Sequence, residues 1–237
     1  MRAFLAVALL VLVLAAAGCG GGGSSPADTT GNGEASKSAQ QVVEDAVAAA
    51  KGARSFHMAG QINAGFAQIG LDLTIVKGKG AQGSMTLRGH KVELVTMGKN
   101  AYMKADADFY KAFGGSDGSA AAALIAGKWL KFSTSDPQYG QLTTIADSKG
   151  LFDSLTTGHG KLENKGTMTY KGLSAVDILD TTQGGDLYVS ATGTAYPLAI
   201  VKSGKGAGGD ISFDHWNDSV TLTPPSGAID ISKLAGG

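Results

Sequence analysis

The strongest constraint on this chain is a long stretch in which apolar and polar residues alternate in steps of two. Phe56, Met58 and Ile62 alternate with His57 and Gln61, Leu71, Leu73 and Ile75 with Asp72 and Thr74, and Met85 and Leu87 continue the series. Two further segments, Val92 with Leu94, Val95 and Met97, and Tyr102 with Met103, are parted by the turn-like Gly98-Lys99-Asn100. A period of two gives each segment one buried and one wet face, as in a half-buried strand. Links of a few residues leave no room for the crossovers that parallel pairs need, so the strands are expected to pair as an antiparallel meander. The pattern returns after Gly166, with strands expected over 167–173, 175–179, 186–190, 197–202 and 209–213. The tail, 220–234, ends in an alternating piece around Ile229 and Ile231, and Pro224-Pro225 makes it unfit for a central strand.

Helices are expected at two places. Ala39, Val42, Val43, Ala46, Val47 and Ala50 recur at spacings of three and four, Ser38 with Gln41 makes a capping box, and Gly52 offers the stop. That helix should lie on a sheet by a narrow face of small residues. The second place is 116–158, where an alanine-rich run over 119–126 ends at Gly127 and Lys128 to Phe132 resumes strand character. Asp136-Pro137 then starts an apolar stripe on Leu142, Ile145, Leu151, Phe152 and Leu155, interrupted at Gly150 and read as two short helices.

The N-terminus carries a different signal. Arg2 precedes an apolar run over 3–17, and the chain's single cysteine follows in Leu14-Ala15-Ala16-Ala17-Gly18-Cys19. This is the layout of a lipoprotein signal peptide over 1–18, too short for a comfortable membrane span, with Cys19 as the lipidated first mature residue. Ala16 stands where leucine is commonest in such a lipobox. Residues 19–37, rich in Gly, Ser, Thr and Ala, read as a tether with a root-mean-square span of about 20–25 Å. A single domain is expected over 38–234. With one cysteine no intrachain disulfide can form, so a buried core must hold the fold, and 43% hydrophobic residues can supply it. Losing Arg2 leaves 19 basic and 20 acidic residues, a balance that argues against nucleic acid as a partner.

Two glycine-rich motifs fit other chemistries in isolation. Gly114-Gly115-Ser116-Asp117-Gly118 fits the nucleophile elbow of a serine hydrolase, yet that site needs a parallel sheet, so a glycine-rich loop is the preferred reading. Gly78 to Gly83 matches G-x-G-x-x-G but is followed by a strand rather than a helix, and so reads as a hairpin loop. His57, His90, His159 and His215 lack partners at metal-ligand spacing, and Asp106 with Asp108 or Asp214 with Asp218 lack the ordered ligand series of a calcium loop. No catalytic residue, metal or cofactor is assigned.

Gly127-Lys128-Trp129 before the helical insert, Leu187-Tyr188-Val189 before Tyr196-Pro197-Leu198, and the late 225–230 segment, in this order behind a lipobox, resemble the actinobacterial LppX/LprG-type lipoproteins over about 38–234. The resemblance implies an α+β fold: a strongly curved antiparallel half-barrel with short helices over its concave face, akin to the LolA and LolB carriers. It also implies an apolar cavity for acyl chains. On this reading the chain is a non-enzymatic carrier or presenter of an acylated lipid or glycolipid, anchored through Cys19 to the outer face of the cytoplasmic membrane. Whether a membrane transporter works beside it stays open. The expected cavity lining is Met58, Leu73, Met85 and Leu94 from the strands, with Leu142, Ile145, Leu151, Phe152 and Leu155 from the helices; a curved sheet leaves the choice of strand face open. A structural or signalling lipoprotein with a filled core is the alternative.

Overall fold

The computed structural model describes residues 31–64, 67–114, 118–135, 148–202 and 207–231. Helix α1 (Ala39–Gly52) leads into the first meander, strands β1 (Ser55–Ala64), β2 (Ala67–Val76), β3 (Gly80–Leu87), β4 (His90–Met97) and β5 (Asn100–Ala105), which is followed by helices α2 (Ala107–Phe113) and α3 (Gly118–Ile125). After β6 (Leu130–Ser133) come helix α4 (Ser148–Thr157) and a second meander, β7 (Leu162–Tyr170), β8 (Leu173–Asp180), β9 (Asp186–Ser190), β10 (Pro197–Lys202) and β11 (Ala207–Asp214), closed by the two-residue β12 (Ile229–Asp230). All belong to one sheet in the order β12-β6-β5-β4-β3-β2-β1-β11-β10-β9-β8-β7. Every pair is antiparallel except β12 with β6. The sheet does not close, so the fold is the expected α+β half-barrel.

Cross-strand register shows how the alternation is used. Phe213, Met58, Leu73, Gly83, Leu94, Met103 and Leu130 face one another in succession across six neighbouring pairs. A second row runs Phe56, Ile75, Ala81, Thr96, Ala101, Phe132. Directly opposed residues share a face, so these rows make one apolar concave surface. The helices split its cover: α1 and α4 lie over Met58, Leu73, Val176, Ile178, Leu187 and Val189, whereas α2 and α3 lie over Met85, Val92, Leu94 and Met103. Ser38 Oγ accepts from the Gln41 N–H at 3.3 Å while the Gln41 side chain reaches back to the Ser38 N–H at 3.1 Å, the capping box that starts α1.

Curvature has a local cause. Gly83 has φ +146°, and a Cβ there would stand 2.1 Å from the Asp72 carbonyl oxygen. Gly60, at φ +154°, is crowded in the same way by the Asp210 carbonyl. Only glycine lets neighbouring strands approach this closely, and such kinks bend a sheet.

Several expected boundaries shift. The turn between β2 and β3 takes only 77–79, so Gly80 and Gly83 of the expected hairpin loop are strand residues. The strand expected over 167–173 is broken at Lys171-Gly172, with φ +47° and +84°, into β7 and β8. Helix α2 was not foreseen: the Asp106 carboxylate accepts from the Phe109 N–H at 2.8 Å and starts it, a capping role rather than a place in a calcium pair. Residues 31–37, expected as tether, lie against the domain. Gly31 bridges Thr192, the Asn32 side chain donates to the Ser190 carbonyl at 2.8 Å, and buried Glu34 pairs with Lys37 at 2.7 Å. Lys37 also reaches Asp45 at 2.6 Å, and together these carboxylates hold its ammonium above its usual pKa.

Candidate functional site

The apolar phase of the second meander and the inner faces of α1 and α4 meet at one end of the half-barrel, where they leave a space of about 130 Å³. Its wall is apolar, from Val43 on α1, Leu155 on α4, Leu162, Ile178, Leu187 and Ile200. The mouth is polar, with His159, Asp180, Gln183 and Lys202 around it. Asp180 shapes this rim. Its carboxylate accepts from the backbone N–H groups of Gln183 (2.8 Å), Gly160 (2.8 Å) and Thr182 (2.9 Å), and those bonds hold it below the ordinary carboxylate pKa.

At the opposite end of the same core an aromatic plug closes the face. Phe152 of α4 is 1% exposed, its ring 5.4 Å from Phe56, 5.6 Å from Phe213 and 6.1 Å from Trp216. Trp216 in turn stacks on Tyr196 at 4.5 Å with the planes 4° apart.

The structure distributes the expected lining unevenly. Met58 and Leu73 stand opposite each other under α1 and α4, with Leu151 and Leu155 packed against that cluster and Phe152 within it. Met85 and Leu94 share the concave face but belong to the second cluster, under α2 and α3. Of the seven that are described, only Leu155 borders the 130 Å³ space. Leu142, Ile145, Cys19 and Ser116 lie outside the described residues. The expectation missed Val43, Leu162, Ile178, Leu187 and Ile200. Ile178, Leu187 and Ile200 carry their signal in the alternation after Gly166 and Val43 on the small-residue face of α1, whereas the strand residues expected in the lining all come from the first meander and the rest from the helical insert.

The outer face is polar and holds one concentrated charge group. The carboxylates of Asp214 and Asp72 stand as acceptors to the His57 ring, 2.7 Å from Nδ1 and 3.0 Å from Nε2, so that the group spans β11, β1 and β2. Burial pulls the His57 pKa down, but the two carboxylates outweigh it and the net shift is upward. On β8, burial and the neighbouring Asp186 push Asp177 above the ordinary carboxylate range. Among the described residues no three His, Asp or Glu side chains gather as metal ligands, and no helix is long and apolar enough to cross a membrane.

No protein-family profile and no curated protein sequence matches the chain. Solved structures do. LprF from Mycobacterium bovis aligns over 80% of this chain and 97% of its own, at 17% identity and a TM-score of 0.56. The Mycobacterium tuberculosis lipoprotein LppX aligns over 78% and 98%, at 14% identity and a TM-score of 0.50. The resemblance drawn from sequence to the LppX/LprG-type lipoproteins is therefore matched by the fold.

Proposed function

We propose that this chain, with the fold it shares with LprF and LppX, is a membrane-tethered lipoprotein that binds an acylated lipid or glycolipid and carries or presents it in the cell envelope, without catalysis. The observation that carries this reading is a broad apolar sheet face covered by separate short helices, with an apolar opening of about 130 Å³ between α4 and β8–β10. Cys19, behind a signal-peptide pattern, supplies the anchor to the outer face of the cytoplasmic membrane.

The size of that opening sets the mechanism. It is comparable to an engineered cavity that holds one benzene, room for about six carbons and about 5 kcal/mol of burial at 0.8 kcal/mol each. A sixteen-carbon chain offers about 13 kcal/mol. Firm binding thus requires α4 to lift from the first cluster, so that the acyl chain replaces Leu151 and Leu155 against Leu187 and Ile178. The same small volume favours the second reading, a surface lipoprotein whose core is already full.

The two readings are separated by purifying the intact lipoprotein from membranes and extracting it with organic solvent. A covalent anchor stays with the polypeptide, whereas cargo leaves and is identified by mass. Stoichiometric acylated lipid, lost on Leu187→Trp because the larger side chain fills the opening from the sheet side, is the expected result. A chain that yields no lipid, with its fold intact, removes the carrier reading.

A further inference from the structure

Antiparallel register assigns each turn to one of the two ends of the half-barrel. The start of β1 faces the end of β2 (Ser55 opposite Val76) and the end of β11 (His57 opposite Asp214), so residues 51–54, 77–79 and 98–99 share an end with the Lys171-Gly172 turn. Backbone hydrogen bonds link the turns directly: Lys77 donates to the Arg54 carbonyl at 2.9 Å and Gly98 to the Lys79 carbonyl at 3.2 Å.

This end is basic. Lys51, Arg54, Lys77, Lys79, Lys99 and Lys171 project from it, and all but Lys51 are exposed. The nearby carboxylates are engaged: Asp153 pairs with Lys51, and Asp214 and Asp218 pair with His57 and His215. Beside Lys171 stands Leu173, 54% exposed, a large apolar side chain with no core to enter. The opposite end, which holds the mouth of the 130 Å³ space, carries both signs: Lys111 pairs with Asp108, Lys202 shares the rim with Asp180 and Asp186, and Arg88 lies over the Phe113 ring.

The chain also enters the domain at the basic end. Gly31 bridges Thr192, in the β9–β10 connection that follows Ser190, and Ala191 donates to Ser174 just past the Lys171 turn. Twelve residues lie between Cys19 and that bridge inclusive of the cysteine, a length over which a flexible linker would span about 17–21 Å. A lipid on Cys19 would hold this end, not the mouth, next to the headgroups.

We propose that the basic end docks on an anionic bilayer surface, with Lys77, Lys79, Lys99 and Lys171 over the headgroups and Leu173 inserted among them, so that the cargo mouth faces away from the membrane. This rests on the anchor assigned to Cys19. It commits the protein to presenting cargo outward, to an acceptor off the bilayer, while docked. Attraction of this kind is worth about five-fold per basic residue near an anionic surface and is screened by salt.

The test uses the intact lipoprotein reconstituted in vesicles of phosphatidylcholine with or without 30 mol% phosphatidylglycerol, a composition chosen at roughly the charge density at which basic clusters bind. Hydrogen exchange is followed by mass spectrometry, and the N-terminal peptide reports Cys19 acylation in the same run. Amides of 77–79, 98–99 and 171–173 should exchange more slowly on the anionic vesicles, revert in high salt, and leave 181–185 unaffected. Replacing Lys77, Lys79 and Lys99 together by Gln should lower the docked fraction by about a hundredfold, and Lys111→Gln with Lys202→Gln at the other end should not. Equal exchange on both vesicle types with an acylated Cys19, or slowing at 181–185 instead, overturns the orientation and spares the anchor. An unacylated N-terminal peptide overturns both.

Discussion

Phe152→Ala tests the central packing claim and the cargo mechanism together. The ring is 1% exposed and touches Phe56, Phe213 and Trp216, so it is the pin between α4 and the concave sheet. Truncating a fully buried phenylalanine costs about 3–5 kcal/mol, part from lost transfer energy and part from the cavity left behind. The fold should remain, since the second cluster under α2 and α3 does not depend on this ring. Urea denaturation followed by tryptophan fluorescence measures the loss directly, because Trp216 lies 6.1 Å away. The vacated volume adjoins Leu151 and Leu155, so a long-chain acyl ligand should bind the variant better than the parent. At a hundred times its dissociation constant it should restore about 2.7 kcal/mol. A loss under about 1.5 kcal/mol would refute the reasoning, for it would mean that α4 is not fixed on the sheet through this ring.

Gly83→Ala should destabilise by about 2–3 kcal/mol in the same assay, through the left-handed φ and the contact with the Asp72 carbonyl; an unchanged midpoint would show that the kink is not needed. His57 has its pKa raised above 6.5 by Asp72 and Asp214, so its contribution is complete below about that pH and fades as pH rises through the folded value. His57→Gln should therefore lag the parent by about 0.5–1 kcal/mol at pH 5.5 and converge with it near pH 9; a constant gap would dismiss the ion pairs as its cause. Asp177, whose folded pKa lies above 3.8, costs stability once pH exceeds that value. Asp177→Asn should raise the unfolding free energy at pH 7 by about 0.5 kcal/mol and leave it unchanged near pH 3, as a pair of urea denaturation curves would show.

Period two made the sheet legible, because a one-residue error would have exposed Met58, Leu73 and Leu94 together, and all three are buried. Its limits are equally physical. Lys171 takes φ +47°, which a lysine side chain does not announce, so the β7–β8 turn was hidden inside an apparent strand. Helix α2 has an N-cap at Asp106 but only one buried residue, Tyr110, so it lacks the apolar stripe from which a helix is read. The pairing of β1 with β11 could not be read at all: no local pattern records which strands meet across 150 residues. That pairing decides which half of the sheet α1 covers, and hence why the 130 Å³ space opens against β7–β10 rather than against the first strands.

The β1–β11 pairing is also a statement about time. Strands β1 to β6 are each beside their sequence neighbour, and so are β7 to β11, so either meander can assemble from hairpins with little loop-closure cost. Helix α1 is made first yet packs with α4 and with strands β7 to β10 that are made long after it. Until β11 arrives to zip onto β1, the apolar side of α1 lacks the strands of the second meander that complete its cluster. The chain is thus at its most aggregation-prone just before completion, and a slow final step that joins two finished meanders, rather than a gradual gain of structure, is what refolding kinetics should record.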